Sequence, residues 1–385
     1  LYWTLDNGDF AFSSDLNPLI SCFSKNTLNT NAIQEYLFHG YCSSNNCIAS
    51  NIYKIPPSSY LKFEKNRIST GKYNSYTQNK YVEDFNFSID YIDSLLRKNV
   101  SDQIAEEVPM GIMLSGGTDS SLLAKYLSLD KNLPKNIKSY SVRFLDKKLS
   151  NDYSYAESLA NQLNLNHETI SINSSQSLEF LENAADSLDE PIADTGIIGT
   201  NIICQKSNSD GVKVLISGTG ADELFGGYMR HLAPNFATSK FLSEIPSPFR
   251  LPLSKFLSIF NRSFSERISD PFLNYFLSVS GMPSNVLFKI IKDPIRRLPS
   301  FSKYQRNIPH NYSLYLDQKF YLPDSLLAYT DKISMANSVE IRVPYLSKSL
   351  SPILFSYLEK PFKSKYTKPL LRKISSKYFT KEFYT

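Results

Sequence analysis

Four cysteines in 385 residues, at positions 22, 42, 47 and 204, show no pairing pattern. That excludes a disulfide framework and fits a reducing compartment, with each thiol expected to be buried. The four histidines, His39, His167, His231 and His310, are scattered, without the ligand spacing of a zinc site. No apolar run reaches the ~18 residues that a membrane span needs, and no charged-then-apolar leader opens the chain. A protein without membrane association, in the cytoplasm, is therefore expected. A large excess of one charge is also missing. Forty-two basic against 37 acidic residues leave +5, spread too thinly for a nucleic-acid face or a polybasic anchor, and lysine-rich stretches such as 363–373 read as solvated surface. The chain does have 42% hydrophobic residues, enough for one sizeable core and part of another.

The most informative run is Ile112-Met113-Leu114-Ser115-Gly116-Gly117-Thr118-Asp119-Ser120. Val108 to Leu114 is apolar enough for a buried strand, and Leu122, Leu123, Tyr126 and Leu127 recur at helical spacing. The turn between them sits at a helix N-terminus. Gly116 and Gly117 let the backbone wrap tightly and aim N–H groups at one anion, with hydroxyls from Ser115 and Ser120 beside them. A bare phosphate would repel Asp119, so its place at the mouth of such a loop implies a divalent cation between the two, and Mg²⁺ is the natural choice.

A second loop repeats the plan. Strand Val212 to Ile216 leads into Ser217-Gly218-Thr219-Gly220-Ala221-Asp222-Glu223 and then Leu224-Phe225-Gly226-Gly227-Tyr228. At the carboxyl ends of parallel strands the two loops would face a common ligand. Asp119 and Asp222 could then approach one metal, while Ser217 and Gly218 present backbone to a nucleotide. The bland reading of Asp222 and Glu223 is a pair of solvated helix-start carboxylates.

Strands at 109–114, 138–144, 167–172 and 212–217 alternate with helices at 84–100, 120–129, 152–164, 176–187 and 194–208, which predicts an α/β fold: a parallel sheet with helices on both faces. The polar stretch Ser75 to Glu83 marks the expected domain boundary. Leu1 to Ser14 reads as a β-hairpin, Ala32 to Gly40 as a helix, and Ile55 to Phe63 as a turn into a strand. From 229 to about 320, phenylalanine- and serine-rich helical pieces broken by prolines predict a helical insertion.

Three segments carry a resemblance. Leu114 to Ser120, Leu215 to Tyr228 and Leu322 to Leu346, the last containing Asp331-Lys332 and Glu340-Ile341-Arg342-Val343-Pro344-Tyr345-Leu346, match in order and spacing the synthetase half of the glutamine-dependent, class B asparagine synthetases of the PP-loop ATP pyrophosphatase superfamily. Weaker similarity takes in Asp189-Glu190-Pro191 and Thr367-Lys368-Pro369-Leu370-Leu371-Arg372. The resemblance implies an adenine nucleotide alpha-hydrolase-like domain over 76–385, with the insertion at about 229–320, preceded at 1–75 by the C-terminal part of an α+β Ntn-type glutaminase domain.

It also implies ATP-dependent conversion of aspartate to asparagine through β-aspartyl-AMP, with release of AMP and pyrophosphate, and with ammonia or glutamine as nitrogen source. ATP and Mg²⁺ would be required, the other partners would be small molecules rather than nucleic acid or membrane, and a homodimer is compatible with it. On this reading residues Leu114, Ser115, Gly116, Gly117, Thr118, Asp119, Ser120, Val142, Ser217 and Gly218 bind ATP, with backbone at Leu114 and Val142 holding adenine. Asp119 and Asp222 hold the metal. Lys368, Asp119, Thr219, Glu340 and Arg342 form the catalytic set. Glu340 and Arg342 alternate along an extended piece and could face one side, where they would serve equally as an ion pair bracing a loop.

Two residues depart from the family pattern. Thr219 stands where most relatives carry an acid, and threonine cannot take a proton from an attacking amine at neutral pH, so Glu223, Asp324 or Glu340 would take over or the acceptor amine differs. Ser347 replaces an aspartate. Both bear on the substrate more than on adenylation, and leave open a PP-loop ligase acting on another carboxylate (a sugar acid or a lactam precursor) or a non-catalytic nucleotide-binding relative. The cysteine nucleophile of a glutaminase is absent, since Cys22, Cys42, Cys47 and Cys204 lie too far along the chain to carry the terminal amine that chemistry needs. A fragment clipped at both ends is therefore expected, with a natural synthetase that has lost its glutaminase as the alternative.

Overall fold

The computed structural model describes residues 1–23, 27–43, 46–73, 89–105, 107–131, 137–146, 152–232, 312–350 and 366–380, together with positions 279, 286, 289 and 290. The chain divides into two compact units: residues 1–81, 189–194 and 229–325 in one, and 82–188, 195–228 and 326–385 in the other. The boundary stretch Ser75 to Glu83 and most of the expected insertion lie outside the described residues.

The first unit is α+β. Strands β1 (Tyr2–Asp6) and β2 (Asp9–Ser13) form an antiparallel hairpin, and β1 also pairs with β3 (Tyr53–Lys54). The hairpin turns at Asn7-Gly8, both in left-handed backbone (φ 51° and 96°), the two-residue turn whose twist matches that of its strands. Helices α1 (Leu16–Cys22) and α2 (Thr30–His39) follow, α2 capped by the Asn29 side chain. A second hairpin joins β4 (Ser59–Glu64) to β5 (Arg67–Lys72). Tyr2, Leu16, Leu19, Cys47, Ala49 and Ile52 form a buried cluster. Beside it Lys54 Nζ donates to Glu190 Oε2 at 2.6 Å, and the Ile48 N–H donates to Glu190 Oε1 at 2.7 Å.

The second unit holds a five-stranded parallel sheet: β6 (Met110–Met113), β7 (Lys138–Phe144), β8 (Asn166–Ile172), β9 (Val214–Ile216) and β10 (Glu340–Arg342), in the order β10-β9-β6-β7-β8. Alternate side chains separate its faces. Ile112, Val214 and Ile216 pack with α3 (Ile89–Ser101), α4 (Thr118–Leu129) and α5 (Asp152–Gln162). Tyr140 and Leu215 pack with Ile203 and Cys204 of the helix Gly196–Ser209. Helices thus cover both faces, as a parallel sheet buried on two sides requires. Truncating a fully buried member such as Leu122 or Ile216 to alanine would cost about 2–5 kcal/mol.

Three expectations need correction. The sheet has a fifth strand, β10, formed by the extended piece 340–342, which was not expected to join the sheet. Helix α4 begins two residues earlier than its apolar spacing suggests, placing Asp119 in its first turn, because polar first-turn residues add nothing to the apolar pattern. Cys42, Cys47 and Cys204 are buried free thiols, but Cys22, closing α1, is exposed. Among the described residues no helix is long and apolar enough to cross a membrane.

Candidate functional site

A cavity of about 930 Å³ opens in the second unit where β6, β7 and β9 end. Its lining is polar on one side (Ser115, Asp119, Ser120, Ser217, Gly218, Asp222) and apolar on another (Leu114, Val142, Phe144, Leu145, Ile203). The loop after β6 is organised by its own serines. Ser115 Oγ and Ser120 Oγ are 2.9 Å apart, the Ser115 N–H donates to Ser120 Oγ at 3.1 Å, and the Gly117 N–H donates to Ser115 Oγ at 3.3 Å. Gly116 is left-handed at φ 79°. No side chain caps α4, so its first N–H groups remain for an anion.

Lys368 joins the two loops. Its ammonium pairs with Asp119 Oδ2 and lies 2.8 Å from Asp222 Oδ1. Two features hold this contact. Lys368 adopts left-handed backbone (φ 50°), an uncommon state for a side chain of this length and one that local structure must enforce, and its N–H donates to Gly226 O at 3.1 Å. Gly227 leaves the room. A Cβ built there would overlap Asp222 Oδ1 and Lys368 Cε, so no other residue fits without dismantling the pair. From the facing loop, Tyr345 Oη donates to Asp119 O at 3.0 Å.

The electrostatics follow from one cation serving two carboxylates. Burial pushes the Asp119 carboxyl up to about 6; the Asp222 charge adds to the rise, and Lys368 and Arg372 oppose it. Burial works against the Lys368 charge, but the Asp119 and Asp222 carboxylates outweigh it and raise the ammonium above the usual lysine value. Asp119 Oδ1 is buried and has no hydrogen-bond partner among the described residues. An excess of negative charge and an orphaned carboxylate oxygen fit a hard divalent cation. Among the described residues no three His, Cys, Asp or Glu side chains converge on a metal position, so the remaining ligands would come from phosphate and water.

The structure thus brings Leu114, Ser115, Asp119, Ser120, Val142, Ser217, Gly218, Thr219 and Asp222 around one cavity, with Lys368 behind the two aspartates. Gly116, Gly117 and Thr118 shape the loop without lining the cavity. Thr219 Oγ1 lies 2.9 Å from Ser217 Oγ. Glu340 and Arg342 are elsewhere: they pair with each other at 2.8 Å on the edge strand β10, and Arg342 also donates to Gln103 O at 2.9 Å. Neither is among the lining residues. Of the acids weighed against Thr219, Glu223 lines the cavity, fully buried, and accepts from Tyr228 Oη at 2.5 Å; Asp324 and Glu340 do not line it. Ser347 is linked through Ser349 to Asn99. Sequence reasoning missed Gly227, Tyr345 and the cation Arg143 at the rim. The Gly226-Gly227 doublet was the visible signal for the first.

The fold is an α/β domain with a parallel sheet covered on both faces, in which two glycine-bearing loops meet at adjacent strand ends. The family model described as Asparagine synthase matches residues 91–385, and that described as Glutamine amidotransferase domain matches residues 1–74. The chain belongs to the asparagine synthase family. It is 25% identical over 389 residues to glutamine-hydrolyzing asparagine synthetase 1 of Bacillus subtilis, with 97% of this chain and 60% of the relative covered. It is 38% identical over 146 residues to a putative glutamine-hydrolyzing asparagine synthetase of Methanocaldococcus jannaschii, covering 37% of this chain and 25% of that protein. It is 25% identical over 342 residues to amidase chyE of Penicillium rubens, covering 75% and 50%. The chain therefore spans about 60% of the length of the Bacillus relative and less of the other two.

Among solved structures, an NH3-dependent NAD synthetase from Campylobacter jejuni aligns with 53% of this chain and 95% of its own, at 15% identity and TM-score 0.24. A U34-tRNA thiolase from Methanococcus maripaludis aligns with 54% and 78%, at 16% identity and TM-score 0.28.

Proposed function

We propose that this chain carries the synthetase centre of an ATP-dependent amidation of aspartate to asparagine. An oxygen of the aspartate β-carboxylate attacks the α-phosphorus of ATP, the bond to pyrophosphate breaks, and β-aspartyl-AMP forms. Ammonia, derived from glutamine in the protein as a whole, then attacks the acyl carbon, loses a proton and displaces AMP. The carboxylate must be activated first because oxide is too poor a leaving group.

The observation that carries this reading is the Lys368 ammonium held between Asp119 and Asp222 beside the Ser115 to Ser120 loop. Charge gathers on the departing pyrophosphate, and each pair of unit charges 4 Å apart costs about 4 kcal/mol at an effective dielectric of ~20. The α4 N-terminus, the serine hydroxyls and Lys368 would act as fixed donors that offset that repulsion. Asp119 and Asp222 would hold Mg²⁺, which when bound would supply positive charge to offset that of the phosphates. Glu223, the acid that lines the cavity in place of an acidic residue 219, is assigned the proton that ammonia sheds. Leu114 and Val142 supply the wall against which the adenine rests.

The test is direct. Purified protein is given ATP, MgCl₂, aspartate and ammonium chloride, and pyrophosphate and asparagine are measured. Aspartate-dependent release of pyrophosphate with matching asparagine is expected; no stimulation by aspartate would defeat the assignment.

Thr219 favours a second reading, a ligase of the same architecture that amidates a different carboxylate. The similarity to a protein named as an amidase is in keeping with it. Pyrophosphate release with other amino or sugar acids, and none with aspartate, would select it.

A further inference from the structure

We propose that Arg143 and Tyr153 form a base clamp, in which the guanidinium, stacked on the tyrosine, takes the adenine of ATP on its other face and so sets the preference for an aromatic nucleotide over a bare polyphosphate. This rests on the reading of the cavity as an ATP site. The Arg143 guanidinium lies 4.4 Å from the centre of the Tyr153 ring. Both residues line the cavity, and among the described residues that do so Arg143 is the lone Lys or Arg. Three features assign the pair to the base.

The first is placement. Arg143 is the penultimate residue of β7, the strand hydrogen-bonded to β6, whose end carries the phosphate loop. Adjacent strands are about 4.8 Å apart, so a nucleotide with its phosphates on the β6 loop extends across the end of β7. The second is the surrounding chemistry. Val142, Phe144 and Leu145 beside Arg143, with Leu114 and Ile203, make this the apolar part of the lining, suited to a purine ring and unsuited to phosphate. The third is an unused capacity. Arg143 is exposed, lines the cavity, and among the described residues its guanidinium makes no ion pair or hydrogen bond, so beyond its contact with Tyr153 it has capacity left for a ligand. A guanidinium stacks on aromatic faces where a lysine ammonium cannot, and such stacking tolerates any base because every base has a π-face.

Binding of ATP, AMP and inorganic tripolyphosphate to wild type, Arg143→Ala, Arg143→Lys and Tyr153→Leu is measured by calorimetry, with KM for ATP and kcat from pyrophosphate release. Arg143→Ala is expected to weaken ATP and AMP about three- to thirtyfold and to leave tripolyphosphate within twofold, with KM for ATP rising and kcat retained. Arg143→Lys should fail to restore the loss, and Tyr153→Leu should reproduce part of it. Equal weakening of tripolyphosphate, full rescue by lysine, or a higher KM for the carboxylate substrate with unchanged ATP affinity would overturn the clamp. Wild type that binds neither ATP nor tripolyphosphate would instead overturn the ATP reading on which it depends.

Discussion

Lys368 Nζ lies 2.8 Å from Asp222 Oδ1 while the same ammonium pairs with Asp119, so a single cation couples the loops that follow β6 and β9. Removing it leaves two carboxylates facing each other and, on the proposed reading, withdraws a donor from the departing pyrophosphate. Lys368→Met should lower pyrophosphate formation at least about hundredfold, the scale on which a preorganised electrostatic donor acts. Turnover within tenfold of wild type would separate Lys368 from the chemistry.

Gly227 carries no functional group, yet the pair depends on it. Gly227→Ala places a methyl group onto Asp222 and Lys368, and overpacking of this kind costs about 1–3 kcal/mol. Activity should fall with Lys368 itself intact, accompanied by a lower melting temperature. An alanine variant with wild-type rate and melting temperature would show that the loop yields freely.

Asp119 gives the site a pH dependence. Its carboxyl, pushed up to about 6 by burial and by Asp222, is protonated below that value and ionised above it. A divalent cation binds only the ionised form, so Mg²⁺-dependent ATP binding should weaken as pH falls through about 6 and level off above it. Asp119→Asn, which cannot ionise, should weaken binding and lose the pH dependence. Calorimetric titrations from pH 5 to 8 with and without Mg²⁺ measure this, and an unchanged slope in the variant would assign the titration elsewhere.

His39 supplies a second pH effect, in the first unit. Burial, with the Lys54 charge beside it, lowers its pKa to about 3, against about 6.5 for an unfolded histidine. The unfolded chain then binds the extra proton between those values, so the contribution to stability is complete above about 6.5 and declines as pH falls toward 3, by roughly a few kcal/mol. His39→Phe should flatten that limb of the unfolding free energy. Equal acid sensitivity in variant and wild type would assign the loss to carboxylates instead.

Much of this was legible along the chain. Strand, Gly116-Gly117 and helix were consecutive, so local periodicity located the strand-turn-helix unit that carries Asp119, and the four expected strands fell within a few residues of their places. The boundary of α4 was misplaced because Thr118 and Asp119 are polar and carry no apolar period. The piece 340–342 reads as extended from the sequence but not as a member of the sheet, because only its pairing with Val214 to Ile216 makes it one.

Local sequence determined what is local: the glycine turns, the apolar periods that make a two-faced parallel sheet, and the aspartates that follow each loop. Tertiary structure decided which charges meet. Lys368 sits in a basic stretch that reads as solvated surface, yet the helix Pro369–Ser375 that follows it packs against α4, and the space left by Gly227 lets its ammonium settle between two carboxylates. Alternation along 340–342 was compatible with a catalytic Glu340 and Arg342 as well as with a brace. They satisfy one another at the sheet edge, because ion pairs are settled by distance and burial rather than by order along the chain.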